Sequence, residues 1–242
     1  MKIVVFSGAG LSKESGIPTF RDSLSGLWEN FKVDEVASPE GWYADKDKVL
    51  KFYEARWNNI KACEPNAAHK ALAQLEKNHE VHHITQNIDD LLERAGCTNV
   101  WHIHGSIDQR KCSNPYCDYM VKHNKPVVLG DKCPNCKSQA RPNVVWFGEF
   151  VDTNDKYVDG LRETADMFIG VGSSIQVHPA AGFVLYHFID TKHKFFIDPD
   201  PNPRLIRIGY KVLTGKAAEL VPTFVNTMEE FLAQHQPAVA TA

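Results

Sequence analysis

Short apolar runs alternate with amphipathic segments along most of the chain. The run KIVVF precedes a glycine-rich stretch, and EVHHIT follows the helix-like segment NAAHKALAQLEKN. The runs ADMFIGVGSS and KHKFFIDPDPN each end in Gly, Ser, Asp or Pro. Strands that are separated by helices, with turn residues at the strand ends, predict an α/β fold in which a parallel sheet carries helices on both faces.

Two segments depart from this alternation. In the first, Val49, Tyr53, Trp57 and Ile60 recur at helical spacing, which predicts a helix outside the sheet. The second contains four cysteines and little apolar periodicity. We therefore predict a larger domain formed by residues 1–22, 63–110 and 143–242. A small module, part helical insertion and part ribbon, would comprise residues 23–62 and 111–142.

The composition narrows the class of protein. The 242 residues are 43% hydrophobic and 24% charged, with a net charge of −3 and a pI near 6.4. Because there is no basic excess, nucleic acid is disfavoured as a partner. The first residues lack the pattern of a secretion signal, and no apolar run approaches membrane-spanning length. We expect a soluble, cytoplasmic, monomeric protein that does not act at a membrane.

Four of the six cysteines, Cys112, Cys117, Cys133 and Cys136, are clustered in the second segment. In a chain without a secretion signal, such clustering indicates a metal site rather than disulfides. Four thiolates form a closed tetrahedral shell without a position for water, which predicts one structural zinc ion. Cys63 and Cys97 stand alone, and we expect both to be buried packing residues.

Residues suited to a nucleotide follow three of the predicted strands. They are Gly8 and Gly10, then Gly172, Ser173 and Ser174, and finally Asp198. Glycines let the backbone approach a phosphate, and an acid at a strand end suits a ribose hydroxyl. One short glycine motif is weak evidence, but three strand ends together predict a dinucleotide beyond the carboxyl ends of the sheet.

Amide, carboxylate and imidazole groups follow two further strands. The segment TQNIDD places Gln86, Asn87 and Asp89 at one strand end, and VWHIHG places His102 and His104 at the next. Imidazole titrates near neutral pH, so these groups predict a site for general-base chemistry. A glycine directly follows His104, but spacing alone leaves both histidines as candidates for the base.

Taken together, these motifs resemble those of the sirtuins, the NAD-dependent protein-lysine deacylases. They occur in sirtuin order from Ile3 to about Val225, and are GAGLSKESGIPTFR, TQNID, HG, the paired cysteines, RPNVVWFGE, GSS with VHPAAG, and GKAAELVP. The likeness is greatest to bacterial sirtuins of the desuccinylase-like class. The resemblance implies a Rossmann-like domain and a small zinc-binding and helical module, with the active site between them.

The resemblance also implies roles for particular residues. His104, Asn87 and Asp89 would be catalytic, with His104 rather than His102 as the base. NAD would be held by Gly8, Ala9, Gly10, Ser12, Thr19, Phe20, Arg21, Gln86, Asn87, Asp89, Gly172, Ser173, Ser174, Asp198 and Ala217. Thr19, Phe20 and Arg21 belong to a flexible flap in that family. The substrate peptide would be clamped as an added strand by Val145, Phe147, Gly148, Glu149 and Val177.

Tyr53 and Arg56 are the residues that bear on which acyl group is bound. Three positions apart on the predicted helix, they project from one face, although a core tyrosine beside a solvated arginine is the commoner arrangement. In desuccinylase-like sirtuins a Tyr-x-x-Arg pair binds the distal carboxylate of a succinyl or malonyl group. A small residue at the position of Ala37 widens the acyl pocket there. Arginine suits this task because its planar fork meets a carboxylate with two hydrogen bonds.

The implied reaction removes acetyl, succinyl or malonyl groups from protein lysines and consumes NAD. The acyl oxygen attacks the nicotinamide ribose and nicotinamide leaves. His104 then takes a ribose hydroxyl proton, the sugar oxygen attacks the resulting imidate, and water releases free lysine and O-acyl-ADP-ribose. Two alternatives stay open, an NAD-dependent protein ADP-ribosyltransferase and a non-catalytic zinc-ribbon adaptor for acylated tails. The chain departs from the family at Asp198, where Asn is usual, and in the wide spacing of Cys112 and Cys117.

Overall fold

The structure is a computed structural model that describes residues 1–19, 32–151, 153–176 and 182–234. Its strands are β1 (Lys2–Ser7), β2 (Glu80–Thr85), β3 (Val100–His102), β4 (Gly105–Cys112), β5 (Met120–Lys122), β6 (Ala140–Val144), β7 (Met167–Val171), β8 (His193–Asp198) and β9 (Lys211–Thr214). Its α-helices are α1 (Val33–Val36), α2 (Pro39–Ala44), α3 (Lys46–Ala62), α4 (Ala67–Leu75), α5 (Leu91–Ala95), α6 (Asp155–Thr164), α7 (Arg204–Arg207) and α8 (Ala217–Gln234).

A six-stranded sheet with the order β3-β2-β1-β7-β8-β9 forms the centre of the fold. All its neighbouring strands pair in parallel, which confirms the predicted sheet. β1 lies between β2 and β7, so the chain leaves β1 toward one edge and later returns toward the other. Such a reversal opens a crevice beyond the carboxyl ends of the two central strands.

The central strand β1 is buried on both faces. Ile3 and Val5 pack into a core with α4 and α8, whereas Val4 and Phe6 pack into a core with α6 on the opposite face. All four side chains are fully buried, and each contributes about 1.5–3 kcal/mol of stabilisation. This double burial explains the uninterrupted apolar run and confirms helices on both faces of the sheet.

The two inserted segments pack against each other in a third core. Helices α1 to α3 meet the antiparallel sheet β5-β4-β6 through Trp42, Phe52, Ile107 and Trp146, among others. This sheet begins at residue 105 and ends at residue 144, slightly wider than the predicted module boundaries. The division into two domains stays a prediction.

The predicted helix of the first insertion is α3. The side chain of Asp45 caps its first turn by accepting a hydrogen bond from the Lys48 N–H at 2.9 Å. Val49, Tyr53 and Ile60 are buried along one face, as the spacing predicts. Among the residues described, no helix combines the length and apolar character required to cross a bilayer.

Candidate active site

The loops after β1 and β7 touch through their backbones at the crevice. The Gly10 N–H donates to the Gly172 carbonyl at 2.8 Å, and the Gly8 N–H donates to the Val171 carbonyl at 3.0 Å. A Cβ on Gly10 would lie 2.7 Å from the Cα of Gly172, too close for any side chain. Gly172 itself has a φ of +61°, which favours glycine. The glycines therefore allow two strand ends to meet where a phosphate group can approach the backbone.

A cavity of about 570 Å³ extends from this crevice toward the small module. It brings together most of the residues predicted for the cofactor and the reaction, namely Ala9, Gly10, Ser12, Thr19, Gln86, Asn87, Asp89, His104, Gly172, Ser173, Ser174 and Asp198. The predicted substrate residues on its wall are Ala37, Tyr53, Arg56, Val145, Phe147, Gly148 and Glu149. One cavity thus joins the nucleotide crevice to the predicted acyl pocket.

Two predicted cofactor residues do not line this cavity. Gly8 directly follows β1 and donates its N–H to the Val171 carbonyl, and Ala217 is buried in the core at the start of α8. Phe20, Arg21 and Val177 lie outside the described residues. The roles implied for these five residues stay predictions.

The segment after β2 crosses the floor of the cavity and is held at both ends. The Gln86 N–H donates to the Ser7 carbonyl at 2.9 Å, and its side-chain oxygen accepts from the Ser173 hydroxyl at 2.6 Å. The Leu91 N–H donates to the Asp89 carboxylate at 3.2 Å. Burial nevertheless raises the pKa of Asp89 above its ordinary value. The hydrogen bond between Gln86 and Ser173 links the end of β2 to the end of β7.

A buried histidine on α4, which the sequence analysis did not single out, orients this segment. His69 Nδ1 accepts from the Asn66 N–H at 3.3 Å, so Nε2 carries the proton and donates to the Ser12 hydroxyl at 3.4 Å. Burial lowers the pKa of His69 to about 4, so the ring is neutral at physiological pH. Ser12 also accepts from the Asn87 side chain at 3.1 Å. The NAAH motif is the signal that could have indicated His69.

The two candidate histidines differ in what their ring nitrogens contact. His104 Nδ1 donates to the Gln86 carbonyl at 3.1 Å, while its Nε2 has no hydrogen-bond partner among the described residues and the ring lines the cavity. Both nitrogens of His102 are engaged, with the Asn87 carbonyl at 2.6 Å and the Glu93 carboxylate at 2.8 Å. His104 is therefore the histidine with a nitrogen able to accept a proton from a bound molecule.

The position of His104 depends on the residue after it. Gly105 has a φ of +75°, and a Cβ there would lie 2.0 Å from the Asn143 carbonyl oxygen. Glycine therefore lets β4 start in contact with β6, while the His104 carbonyl accepts from the Val145 N–H at 2.9 Å. Burial lowers the pKa of His104, although the Gln86 carbonyl opposes this effect. The imidazole is consequently neutral near pH 7 and able to act as a base.

Tyr53 and Arg56 lie at the other end of the cavity. The Trp146 indole N–H donates to the Tyr53 hydroxyl oxygen at 3.0 Å, so the hydroxyl proton is left to donate elsewhere. Burial raises the pKa of Tyr53 to about 12, and the hydroxyl therefore stays protonated. Burial also lowers the pKa of Arg56, which nevertheless remains charged at neutral pH. Trp146, in the motif WFGE, is a second positioning residue that we did not single out from the sequence.

The segment from Val145 to Glu149 is fastened at three places. Its backbone donates from Val145 to the His104 carbonyl and from Phe147 to the Ala37 carbonyl, each at 2.9 Å. The Glu149 carboxylate accepts from the Trp146 N–H at 2.9 Å and pairs with the Arg141 guanidinium, which lies 3.6 Å from the centre of the Trp146 ring. These contacts hold the segment beside the cavity mouth.

The four clustered cysteines converge at the end of the small sheet. Their Sγ atoms all lie within 4.8 Å of one another, with Cys112 and Cys136 3.3 Å apart and Cys117 and Cys133 3.6 Å apart. Four sulfurs bound to one zinc ion at about 2.3 Å would lie about 3.8 Å apart. The donor set and spacing therefore fit a structural zinc ion, and the four-residue gap between Cys112 and Cys117 does not prevent this.

A second group of possible ligands comprises Glu76, His83 and Cys97. Both oxygens of Glu76 already accept hydrogen bonds, from His83 Nε2 and from the backbone and hydroxyl of Thr98. Burial raises the pKa of the Cys97 thiol to about 12, so the thiolate that a metal requires is disfavoured. We assign these three residues a packing role, in agreement with the expectation for Cys97.

The fold and the cavity define a class: a doubly wound α/β protein with a crevice that suits a dinucleotide and a small module whose four clustered cysteines fit a metal ion. The Sir2 family profile matches residues 8–179. An NAD-dependent protein deacylase of Bacteroides thetaiotaomicron is 44% identical over 209 residues, covering 82% of this chain and 86% of the relative. One from Shewanella oneidensis is 41% identical over 233 residues, covering 93% of each chain. The chain therefore belongs to the Sir2 family, as its motifs predict.

Solved structures agree with this assignment. A Sir2 homologue in complex with NAD superimposes with a TM-score of 0.85 at 37% identity, covering 96% of this chain and 90% of that one. A Sir2 structure bound to an acetylated peptide superimposes with a TM-score of 0.76 at 26% identity, covering 96% and 93%. The Rossmann-like fold and the sirtuin resemblance are confirmed.

Substitution of a clustered cysteine tests the zinc site. We expect freshly purified protein to contain about one zinc per chain, and Cys133→Ser to contain much less, because three thiolates no longer close the tetrahedral shell. Elemental analysis after gel filtration measures both. Cys63→Ala, which removes a buried thiol outside the cluster, should retain its zinc. Wild-type protein without zinc would contradict the assignment.

Proposed function

We propose that the protein is an NAD-dependent protein-lysine deacylase that removes acetyl groups and also the acidic succinyl and malonyl groups. The observation that carries the proposal is one cavity, which is lined by Gly10 and Gly172 of the glycine-rich crevice, by His104 and by the pair Tyr53 and Arg56. Membership of the Sir2 family and the deacylase relatives support the NAD-dependent part.

The cavity fits NAD as a consumed co-substrate. Gly10 and Gly172 keep side chains away from the place where a pyrophosphate would lie, and Ser173 and Ser174 offer hydroxyl groups beside them. Asp198 offers a carboxylate at the end of β8, where such folds bind ribose. When bound, NAD supplies the ADP-ribose that accepts the acyl group, with nicotinamide as the leaving group.

His104 would accept the proton from a ribose hydroxyl at Nε2. The hydrogen bond from Nδ1–H to the Gln86 carbonyl leaves the lone pair of Nε2 available. Because burial lowers its pKa, the ring stays neutral in the pH range where a base is required. Asn87 and Asp89 lie on the same cavity wall, close to the proposed ribose and nicotinamide position.

The proposed preference for acidic acyl groups rests on two hydrogen-bond donors, the Tyr53 hydroxyl and the Arg56 guanidinium. Trp146 occupies an acceptor site on the Tyr53 hydroxyl, which leaves the hydroxyl proton for a ligand carboxylate. The Arg56 guanidinium stands one helical turn away on α3 and lines the same space. Ala37 contributes only a methyl group to this wall, so the pocket has room for a longer acyl chain.

The substrate would be an acylated lysine on an extended peptide. Val145 to Glu149 lie beside the mouth of the cavity and would pair with such a peptide as a neighbouring strand. The Sir2 structure bound to an acetylated peptide supports this class of partner. Cytoplasmic location and a monomeric state stay predictions from the sequence.

Removal of the base is the first test. His104→Ala should lower kcat/KM for deacylation by about 10²–10⁴-fold, the usual contribution of a general base. In the wild type, activity should persist to lower pH than an ordinary histidine base allows, because burial lowers the pKa of His104. Steady-state rates between pH 5 and 9 measure both, with a thermal melt to show that the variant is folded. Wild-type turnover in His104→Ala would contradict the role.

Removal of the guanidinium tests the acyl preference. Arg56→Met should lower kcat/KM for a succinyl-lysine peptide by about 100-fold, the effect of losing a strong charge-assisted hydrogen bond. The value for the matched acetyl-lysine peptide should change by less than about threefold, since an acetyl group has no distal carboxylate. Arg162→Met, which removes a surface arginine of α6, serves as the control. Equal losses on both peptides would refute the assignment.

A further inference from the structure

We infer that His102 is a positioning residue whose imidazolium, paired with Glu93, holds the Asn87 peptide and thereby shapes the wall proposed to bind the nicotinamide end of NAD. The inference rests on the proposed function, because it assigns a purpose to that wall. His102 does not line the cavity, and in the proposed reaction it touches no reacting atom.

The hydrogen-bond geometry requires a charged ring. His102 Nδ1 lies 2.6 Å from the Asn87 carbonyl oxygen, and Nε2 lies 2.8 Å from a carboxylate oxygen of Glu93. Carbonyl and carboxylate oxygens only accept, so each contact needs an N–H on the ring. A neutral imidazole has one N–H and would present a lone pair to one of the two oxygens. Because the hydrogen bond from His102 lowers the pKa of Glu93, its carboxyl group is ionised, and only the imidazolium then satisfies both contacts.

The surrounding charges favour the same state. Burial acts to lower the pKa of His102, but the hydrogen bond and charge of Glu93 outweigh it and raise the pKa. The charged groups that face the ring are Glu93 on α5 and Asp89 in the loop after β2, and both are acidic. For its part, burial acts to raise the pKa of Glu93, yet the hydrogen bond from His102 lowers it. A raised pKa for His102 and a lowered pKa for Glu93 are the shifts expected when the two side chains form an ion pair.

Asn87 is held from three sides. Its N–H donates to the Thr85 hydroxyl at 3.1 Å, its side-chain amide donates to Ser12 at 3.1 Å, and its carbonyl accepts from His102. His102 makes the charged contact of the three, and its charge also acts on the buried carboxylate of Asp89. Loss of the proton would turn the shortest of these contacts into one between two acceptors, or would break the pair with Glu93.

The direction in which NAD affinity should change with pH follows from the His102 charge. A raised pKa means that the imidazolium persists above the ordinary histidine value of 6.5. Both contacts of the imidazolium are therefore complete at lower pH, and one of the two is lost as the pH rises through the raised pKa. Affinity for NAD should be constant below that pKa and should fall above it. A limb set by the raised pKa of His102 lies at higher pH than a limb set by the lowered pKa of His104, so the two histidines can be separated.

A direct test is the charge state of His102 in the protein without NAD. Nitrogen-15 NMR of ring-labelled histidine, with His102→Gln to assign its signals, should show both ring nitrogens protonated at pH 7. In Glu93→Gln the midpoint of the His102 titration should move to lower pH, because the carboxylate charge is lost. A neutral His102 ring at pH 7 in the wild type would overturn the inference, whatever the enzymatic activity.

Calorimetric titration with NAD tests whether the His102 contact affects NAD affinity. His102→Gln should weaken NAD binding at pH 7 by about tenfold, the effect of losing one charge-assisted hydrogen bond, and should abolish the alkaline limb. Glu93→Gln should keep a limb that is shifted to lower pH. The control is His79→Gln, which disrupts a histidine–glutamate contact of the same length, 2.8 Å, with Glu229 on α8. It should bind NAD as the wild type does.

The outcomes separate the inference from the proposed function. Identical NAD affinity and pH profile in wild type, His102→Gln and Glu93→Gln would overturn the positioning role while leaving the deacylase proposal intact. A wild type that binds no NAD would overturn the proposed function and, with it, this use of His102. A shifted limb in Glu93→Gln supports the inference even if His102→Gln proves unstable.

Discussion

The close contact of two backbones beyond the carboxyl ends of β1 and β7 sets the geometry of the rest of the site. Gly10 and Gly172 approach within a distance that excludes any side chain, and a hydrogen bond joins them. Because β1 is buried on both faces, its end has little freedom to move. The glycine loop, the end of β7 and the segment after β2 are therefore held around one space, and the chemistry of the cavity follows from that arrangement.

Supporting residues orient the functional groups on the cavity wall. His69 acts as a neutral donor to Ser12, and His102 has the contacts of a charged donor to the Asn87 carbonyl. Trp146 directs the Tyr53 hydroxyl in the same way at the opposite end. The supporting groups thus carry defined protonation states, which is how a site can present fixed donors and acceptors to a ligand.

Much of the fold follows from the sequence because its signals are local. The apolar runs correspond to β1, β2, β7 and β8, and the helical spacing of Val49, Tyr53 and Ile60 corresponds to α3. The cysteine spacing likewise leads to the observed cluster, since the ligand type and spacing carry the information. The strand order is not local, and the pattern of apolar runs did not predict it.

The candidate site, like the fold, could be predicted from the sequence only in part. Spacing alone did not separate His102 from His104, because both lie at the end of one strand, two residues apart. The distinction depends on what each ring nitrogen meets, which includes the Glu93 carboxylate on α5 and the Gln86 carbonyl after β2. The support that Trp146 and His69 provide depends on contacts between residues far apart in sequence. The NAAH motif can indicate His69 itself, but not its contact with Ser12.

The most direct test of the central claim is the stoichiometry of the reaction. Purified protein would be incubated with NAD and a mixture of acetyl- and succinyl-lysine peptides, and all products would be quantified by mass spectrometry. The account predicts one nicotinamide and one O-acyl-ADP-ribose for every lysine freed. Lysine freed without NAD, or ADP-ribose retained on the peptide with the acyl group still in place, would contradict it.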